Sequence, residues 1–151
     1  MNDVVIRKME LSDCEQVYAL ECACFGVGGW QLTDYQETIN MDSHICYVAE
    51  QAGEIVGFAL VIVMVDTADL INIAVAKDHR GLGISKLLME QLDMEAKRLS
   101  LVNVTLEVRA SNLVAISLYE KYGFVKISVR KQYYSNPTED ADIMQKQYNI
   151  L

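Results

Sequence analysis

The segment Asp69-Leu-Ile-Asn-Ile-Ala-Val75 runs into His79-Arg-Gly-Leu-Gly-Ile-Ser85, and beyond it Ile84, Leu87, Leu88, Leu92, Ala96 and Leu99 recur at helical spacing. The first part is apolar apart from its opening Asp69 and from Asn72, as a strand covered on both faces must be, and the second switches to the 3.6-residue period of a helix. Two glycines in four residues mark the passage between them. This spacing predicts a strand, a loop and a helix, with a loop short enough to hold the helix N-terminus against the strand end.

Working outward, Val104, Leu106 and Val108 alternate with Thr105, Glu107 and Arg109, which predicts a further strand. Asn112 is placed to cap a helix running to Tyr122, closed by Gly123. Two more strands, Val125 to Tyr133 and Ala141 to Tyr148, flank the turn-rich Ser135-Asn-Pro-Thr138. On the N-terminal side, Val4 to Lys8 reads as a strand. Ser12 with Glu15 three residues on has capping-box spacing and predicts a helix striped by Val17, Leu20 and Ala23 or Cys24. Phe25-Gly-Val-Gly-Gly-Trp30 ends it in a loop. A helix over Leu32 to Met41 then precedes strands His44 to Glu50 and Ile55 to Val65, turned at Ala52-Gly53. The expected fold class is α/β: one domain over residues 1–151, with a mixed central sheet of about seven strands and about four helices.

Composition agrees with one core. The chain has 151 residues, 52% of them hydrophobic and 23% charged, with one proline, so it has the means to bury a domain-sized interior. The longest apolar run, Ile55 to Val65, is too short for a membrane span, which needs about 20 residues. Residues Met1 to Glu10 mix charges with short apolar runs and offer no hydrophobic stretch for secretion, so a cytoplasmic location is expected. Cys14, Cys22, Cys24 and Cys46 are expected to be reduced thiols, and the spacing of Cys22, Cys24, His44 and Cys46 suits no usual zinc site, so no metal is expected. Charge is unevenly spread: residues 1–60 hold ten acids and two bases, whereas residues 61–151 hold eleven of each. An acidic chain with pI near 4.7 repels a phosphate backbone, which argues against nucleic-acid binding and for a cationic partner on the N-terminal side.

The glycine loop is where chemistry is expected. Backbone N–H groups at the first turn of a helix converge on an anion, and Gly81 and Gly83 permit close approach. Arg80 adds charge and Ser85 a hydroxyl, so a diphosphate-bearing cofactor fits there. The Gly-Lys-Ser or Gly-Lys-Thr of an ATP loop is missing, and Lys86 stands where a dinucleotide fingerprint needs its third glycine.

Over essentially its whole length the chain resembles the GNAT acetyltransferase superfamily. Arg80-x-x-Gly83-x-Ser85 is similar to its signature, Arg or Gln-x-x-Gly-x-Gly or Ala, and departs from it at Ser85. Asn72-Ile-Ala-Val75, Leu106-Glu-Val-Arg-Ala-Ser-Asn112, Ala115-Ile-x-Leu-Tyr-Glu120, Gly123-Phe124 and Tyr133-Tyr134 look like the ribosomal-protein-alanine N-acetyltransferases, the RimI type. The resemblance implies the GNAT fold, acetyl-CoA as cosubstrate, and direct acetyl transfer to the N-terminal α-amine of a protein, namely the N-terminal alanine of a small-subunit ribosomal protein. It also implies that the backbone of Ile73, Ala74 and Val75 meets the acetyl and pantetheine end, that Arg80, Gly81, Leu82, Gly83, Ile84, Ser85 and Lys86 hold the pyrophosphate, and that Asn112 touches the cofactor. Glu107 stands at the proton acceptor and Tyr119 at the proton donor to the leaving thiolate. Trp30, Tyr133 and Tyr134 would wall a peptide groove, with Gly28-Gly29-Trp30-Gln31 in place of the usual Pro-Trp-Ser. An α-amine with pKa near 8 is about a tenth deprotonated at pH 7 and a lysine near 10.4 far less, so an N-terminal acceptor suits weak base assistance. The competing readings are an acetyltransferase for a small amine and a non-catalytic acyl-CoA-binding module. Away from the family pattern, Glu107 and Arg109 on one strand face read as a solvated ion pair, and Tyr119 as helix packing.

Overall fold

The computed structural model describes residues 3–148, so Met1 and Asn2 of the N-terminal stretch lie outside it. Among the described residues the elements run β1 (Val4–Lys8), α1 (Cys14–Phe25), α2 (Leu32–Thr38), β2 (His44–Gln51), β3 (Glu54–Met64), β4 (Thr67–Val75), α3 (Ile84–Arg98), β5 (Asn103–Arg109), α4 (Leu113–Lys121), β6 (Val125–Tyr134) and β7 (Glu139–Gln147), with single 3-10 turns at Leu11–Asp13 and Lys77–His79. The seven strands form one sheet in the order β1-β2-β3-β4-β5-β7-β6, mixed as expected, since β4 and β5 are parallel and every other pair is antiparallel.

Both faces of the central strands are covered, which is why they read as unbroken apolar runs. In β2, Cys46 and Val48 point to a core under α1 and α2 with Val17, Tyr35, Phe58 and Leu60, while Tyr47 and Ala49 point to a larger core under α3 and α4 with Leu88, Leu92, Leu106, Tyr119 and Phe124. Gly57 of β3 makes the close approach of α3 possible. A Cβ there would stand 3.0 Å from the Ala74 carbonyl oxygen and 3.2 Å from Ile84 Cγ2. No helix among the described residues is long and apolar enough to cross a membrane.

Several boundaries differ from the sequence expectation. Ser12 does not cap α1: it lies inside the 3-10 turn, and the N-cap position falls to Asp13, whose carboxylate makes no cap bond to α1 but accepts the preceding Glu10 N–H at 2.7 Å, within a capping box on the 3-10 turn, and a bidentate pair from Arg7 at 2.7 and 2.9 Å. The charge-assisted grip of the Arg7 guanidinium fixes the Asp13 carboxylate on that side of the turn. Its pKa is held below the usual carboxylate range, chiefly by the Arg7 hydrogen bonds. Helix α2 stops at Thr38 rather than Met41, because Thr38 Oγ1 donates to the Tyr35 carbonyl at 2.6 Å and the chain tightens into turns. Strand β4 starts two residues before Asp69, fed by a tight reversal in which Val65 adopts φ 53°. Strand β7 begins at Glu139 and ends at Gln147.

Candidate active site

Strands β4 and β5 pair from Thr67/Asn103 only as far as Leu70/Leu106, and then part. The cause lies in β4. Its register with β3 steps from Val61↔Leu70 to Leu60↔Asn72, leaving Ile71 as an extra residue, and such a bulge bends the strand that carries it. Strand β5 meanwhile stays paired with β7 along its length. Between the diverging strands opens a cleft of about 720 Å³ lined by residues of α1, the loop after it, β4, β5, α4 and the β6–β7 hairpin. Beyond Leu70, the β4 N–H and C=O groups that point away from β3 face this gap instead of a neighbouring strand.

Glu107 stands on the β5 wall, 3.8 Å from the Arg130 guanidinium, and its hydrogen bond with the Tyr133 phenol raises the tyrosine pKa. The ion pair suggested for Glu107 and Arg109 does not form. Arg109 turns instead to the hairpin end, donating to the carbonyls of Ser135 and Pro137 at 3.0 Å each, pairing with Glu139 at 3.3 Å, and lying 4.5 Å from the Tyr134 ring centre. The hairpin is thereby fixed over the cleft. Its register jumps from Arg130↔Ala141 to Tyr134↔Glu139, and Gln132 adopts φ 51° with its N–H on Asp140, which carries Tyr133 and Tyr134 to the cleft with ring centres 5.0 Å apart.

Tyr119 lies on the opposite wall, on α4, and is buried against Phe124 with ring centres 6.0 Å apart. It is part of the core, as its packing reading expected, and also lines the cleft. Burial, with a smaller contribution from Tyr134, pushes its phenol up to about 12. Asn112 caps α4 as predicted, accepting the Ala115 N–H at 3.2 Å, and reaches the same cleft. Trp30 closes the loop side of the cleft, 5.2 Å from Tyr35 and 6.1 Å from His44 between ring centres.

The structure thus brings Trp30, Ile73, Glu107, Asn112, Tyr119, Tyr133 and Tyr134 to one cleft. The side chains of Ala74 and Val75 turn into the two cores, so only their backbone is available. The segment Arg80 to Lys86 lies outside the cleft lining, after the end of β4. There Gly81 and Gly83 take φ 78° and 84°, Gly83 is the N-cap of α3, and a Cβ on either would point into open space. The N–H groups of Ile84, Ser85 and Lys86 have no partner within the helix and are directed to that space. Arg80 folds back, its Nε 3.1 Å from the Val75 carbonyl oxygen and one terminal nitrogen 3.6 Å from Cys24 Sγ. This glycine cradle fits the pyrophosphate of a coenzyme A ester.

Two carboxylates of the cleft were not singled out from the sequence. Glu21 is 2% exposed, accepts from the Tyr35 hydroxyl at 2.5 Å and from Asn72 Nδ2 at 2.7 Å, and has its pKa raised by burial against the lowering effect of those bonds. The signal existed: Val17, Leu20, Glu21 and Cys24 occupy i, i+3, i+4 and i+7, so the helix stripe itself buries an acid. Asp69 shares the cleft face of β4 and is raised by burial and then by Glu107. Strand alternation with Ile71 would have placed it there.

The parted parallel strands and the glycine cradle stand where the GNAT resemblance expects an acyl-CoA site, and the sequence comparisons define the class. Residues 14–124 match the acetyltransferase (GNAT) family, and the chain belongs to it: it is an acetyl-CoA-dependent N-acetyltransferase. The chain is similar to one group of that family along most of its length. The [ribosomal protein bS18]-alanine N-acetyltransferase of Haemophilus influenzae is 32% identical over 143 residues, 93% of this chain and 96% of that protein. The enzyme of that name from Escherichia coli is 38% identical over 105 residues, 68% of this chain and 71% of its own length. The crystal structure of the ribosomal-protein-S18-alanine N-acetyltransferase from Escherichia coli superposes with a TM-score of 0.89 at 30% identity, covering 99% of this chain and 96% of that one. The GNAT-like fold expected from the sequence, a mixed sheet of about seven strands with about four helices, is therefore the fold observed.

Proposed function

We propose that this chain, as a single domain in the cytoplasm, transfers acetyl from acetyl-CoA to the N-terminal α-amine of a protein, its acceptor being the N-terminal alanine of a small-subunit ribosomal protein. The observation that carries this is the cleft at the parting of β4 from β5, with a carboxylate on one wall and a buried phenol on the other. The names of the relatives support the acceptor. In this reading the cradle from Arg80 to Lys86 holds the pyrophosphate, the backbone of Ile73 to Val75 and Asn112 meet the pantetheine and acetyl end, and N–H groups of β4 in the gap stabilise the developing oxyanion. The amine nitrogen attacks the acetyl carbon, the new C–N bond forms and the C–S bond breaks. Glu107 takes the nitrogen's proton, Tyr119 gives one to the sulfur, and exchange with solvent restores both groups. Tyr119 is neutral at physiological pH, so it meets the thiolate as a hydrogen-bond donor. Trp30, Tyr133 and Tyr134 hold the first residues of the peptide.

The test is a mass spectrum of a short Ala-initiated basic peptide with an internal lysine, after incubation with the protein and acetyl-CoA. One acetyl on the α-amine is expected. Acetyl on the lysine alone, or transfer only to small amines, would overturn the acceptor assignment.

A further inference from the structure

Glu21 is a second buried carboxylate at the cleft, outside the proton-transfer pair. A carboxylate removed from water is costly unless its oxygens are engaged, and here the engagement is divided between elements of the active site. One oxygen, Oε1, takes hydrogen bonds from Tyr35 of α2 and from Asn72 of β4, and the Asn72 amide also lies 3.4 Å from the Tyr35 hydroxyl. Asn72 follows the bulged Ile71 and precedes Ile73, so the tie falls where β4 leaves β5. The other oxygen, Oε2, faces Gly29. A Cβ at Gly29 would stand 3.0 Å from it, and Gly29 is not in the left-handed region, so close approach rather than backbone conformation requires the glycine. Gly29 precedes Trp30, and its carbonyl accepts from Gln31 at 3.0 Å.

We infer that Glu21 is a positioning residue for acetyl transfer, one that anchors Asn72 at the acyl end of the cleft and seats the glycine loop so that Trp30 stands at the acceptor end. This rests on the acetyl-transfer function proposed above. It also accounts for the glycine at position 29, where a side chain would crowd Oε2. Since both bonds of the tie end on the single acceptor oxygen Oε1, glutamine can replace it and alanine cannot.

The chain has one tryptophan, Trp30, so its emission reports the seating of the loop without reference to any substrate. Glu21→Ala is expected to shift that emission to the red, raise quenching by acrylamide, and lower kcat/KM for the peptide at least about tenfold, with the acetyl-CoA Kd changed under about threefold. Glu21→Gln is expected to keep wild-type emission and to stay within about threefold of wild type in kcat/KM. Wild-type emission and kcat/KM in Glu21→Ala overturn the proposal. So does a Glu21→Gln variant as impaired as Glu21→Ala, because then the charge and not the tie matters. Gly29→Ala serves where Glu21→Ala fails to fold: its methyl meets a carboxylate held on its other oxygen, so the same red shift with a smaller loss of kcat/KM is expected, and unchanged emission overturns the proposal. A wild-type protein that acetylates no α-amine would refute the proposed acceptor while the Trp30 emission still decides the role of Glu21.

Discussion

Tyr119 keeps its phenol proton because it is buried among α4, Phe124 and the cleft wall, and that burial orders the expected pH dependence. With its pKa pushed up to about 12, the phenol is intact throughout the range in which an N-terminal amine loses its proton. The value of kcat/KM should therefore rise from pH 6 to a plateau near the amine pKa of about 8 and show no descending limb before about pH 10. A stopped assay of CoA release across that range checks it. Glu107→Gln and Tyr119→Phe should each lower kcat about 100-fold, the lower end of general acid–base effects, with acetyl-CoA binding kept in a calorimetric titration. A non-catalytic binding module has no turnover to lose. Both residues were visible as candidates in the sequence, because their neighbours carry the family pattern. For Glu21 only its burial was legible, in the apolar stripe of α1; its role was not, since no pairwise spacing announces that Tyr35 and Asn72, 14 and 51 residues away, converge on one of its oxygens.

At the scale of elements, the glycine loop and the N-terminus of α3 act as one device. Gly83 caps the helix at φ 84°, a left-handed conformation that a β-branched side chain resists, and its missing Cβ leaves the space before the first-turn N–H groups open. Gly83→Val should raise the acetyl-CoA Kd at least about tenfold, or about 1.4 kcal/mol, as measured by calorimetry on a variant whose circular dichroism matches wild type. The loop and helix were legible because glycine spacing and the 3.6-residue period are local signals. The bulge at Ile71 was not legible, as it exists only in the register between β3 and β4. The same holds for the turn of Gln132 that carries Tyr133 and Tyr134 inward.

For the molecule as a whole, the surplus of acid in residues 1–60 is spread over α1, α2, β2, the start of β3 and the turns between them, and of these α1 lines one side of the cleft. A basic peptide approaching that side is attracted over roughly the Debye length, about 10 Å at 0.1 M salt. Its kcat/KM should fall about threefold or more between 0.02 and 0.5 M salt, while that of an uncharged Ala-initiated peptide should change little. Equal salt dependence of the two peptides would remove charge from the account of acceptor choice.

The sequence by itself determined the mixed α/β class, the strand, loop and helix around Gly81 and Gly83, the Asn112 cap, and the residues that join this chain to the GNAT family. Each depends on periodicity, on a residue's own backbone freedom or on motif order, all of which act over a few positions. The tertiary structure alone decided that Ser12 leaves α1 uncapped and that the Asp13 carboxylate is held by Arg7 and the Glu10 N–H, that Arg109 braces the hairpin instead of pairing with Glu107, and that Glu21 ties α1 to α2 and β4. Each is a choice among several competent partners, made by which side chains the packed sheet brings within hydrogen-bonding distance and which it removes from water.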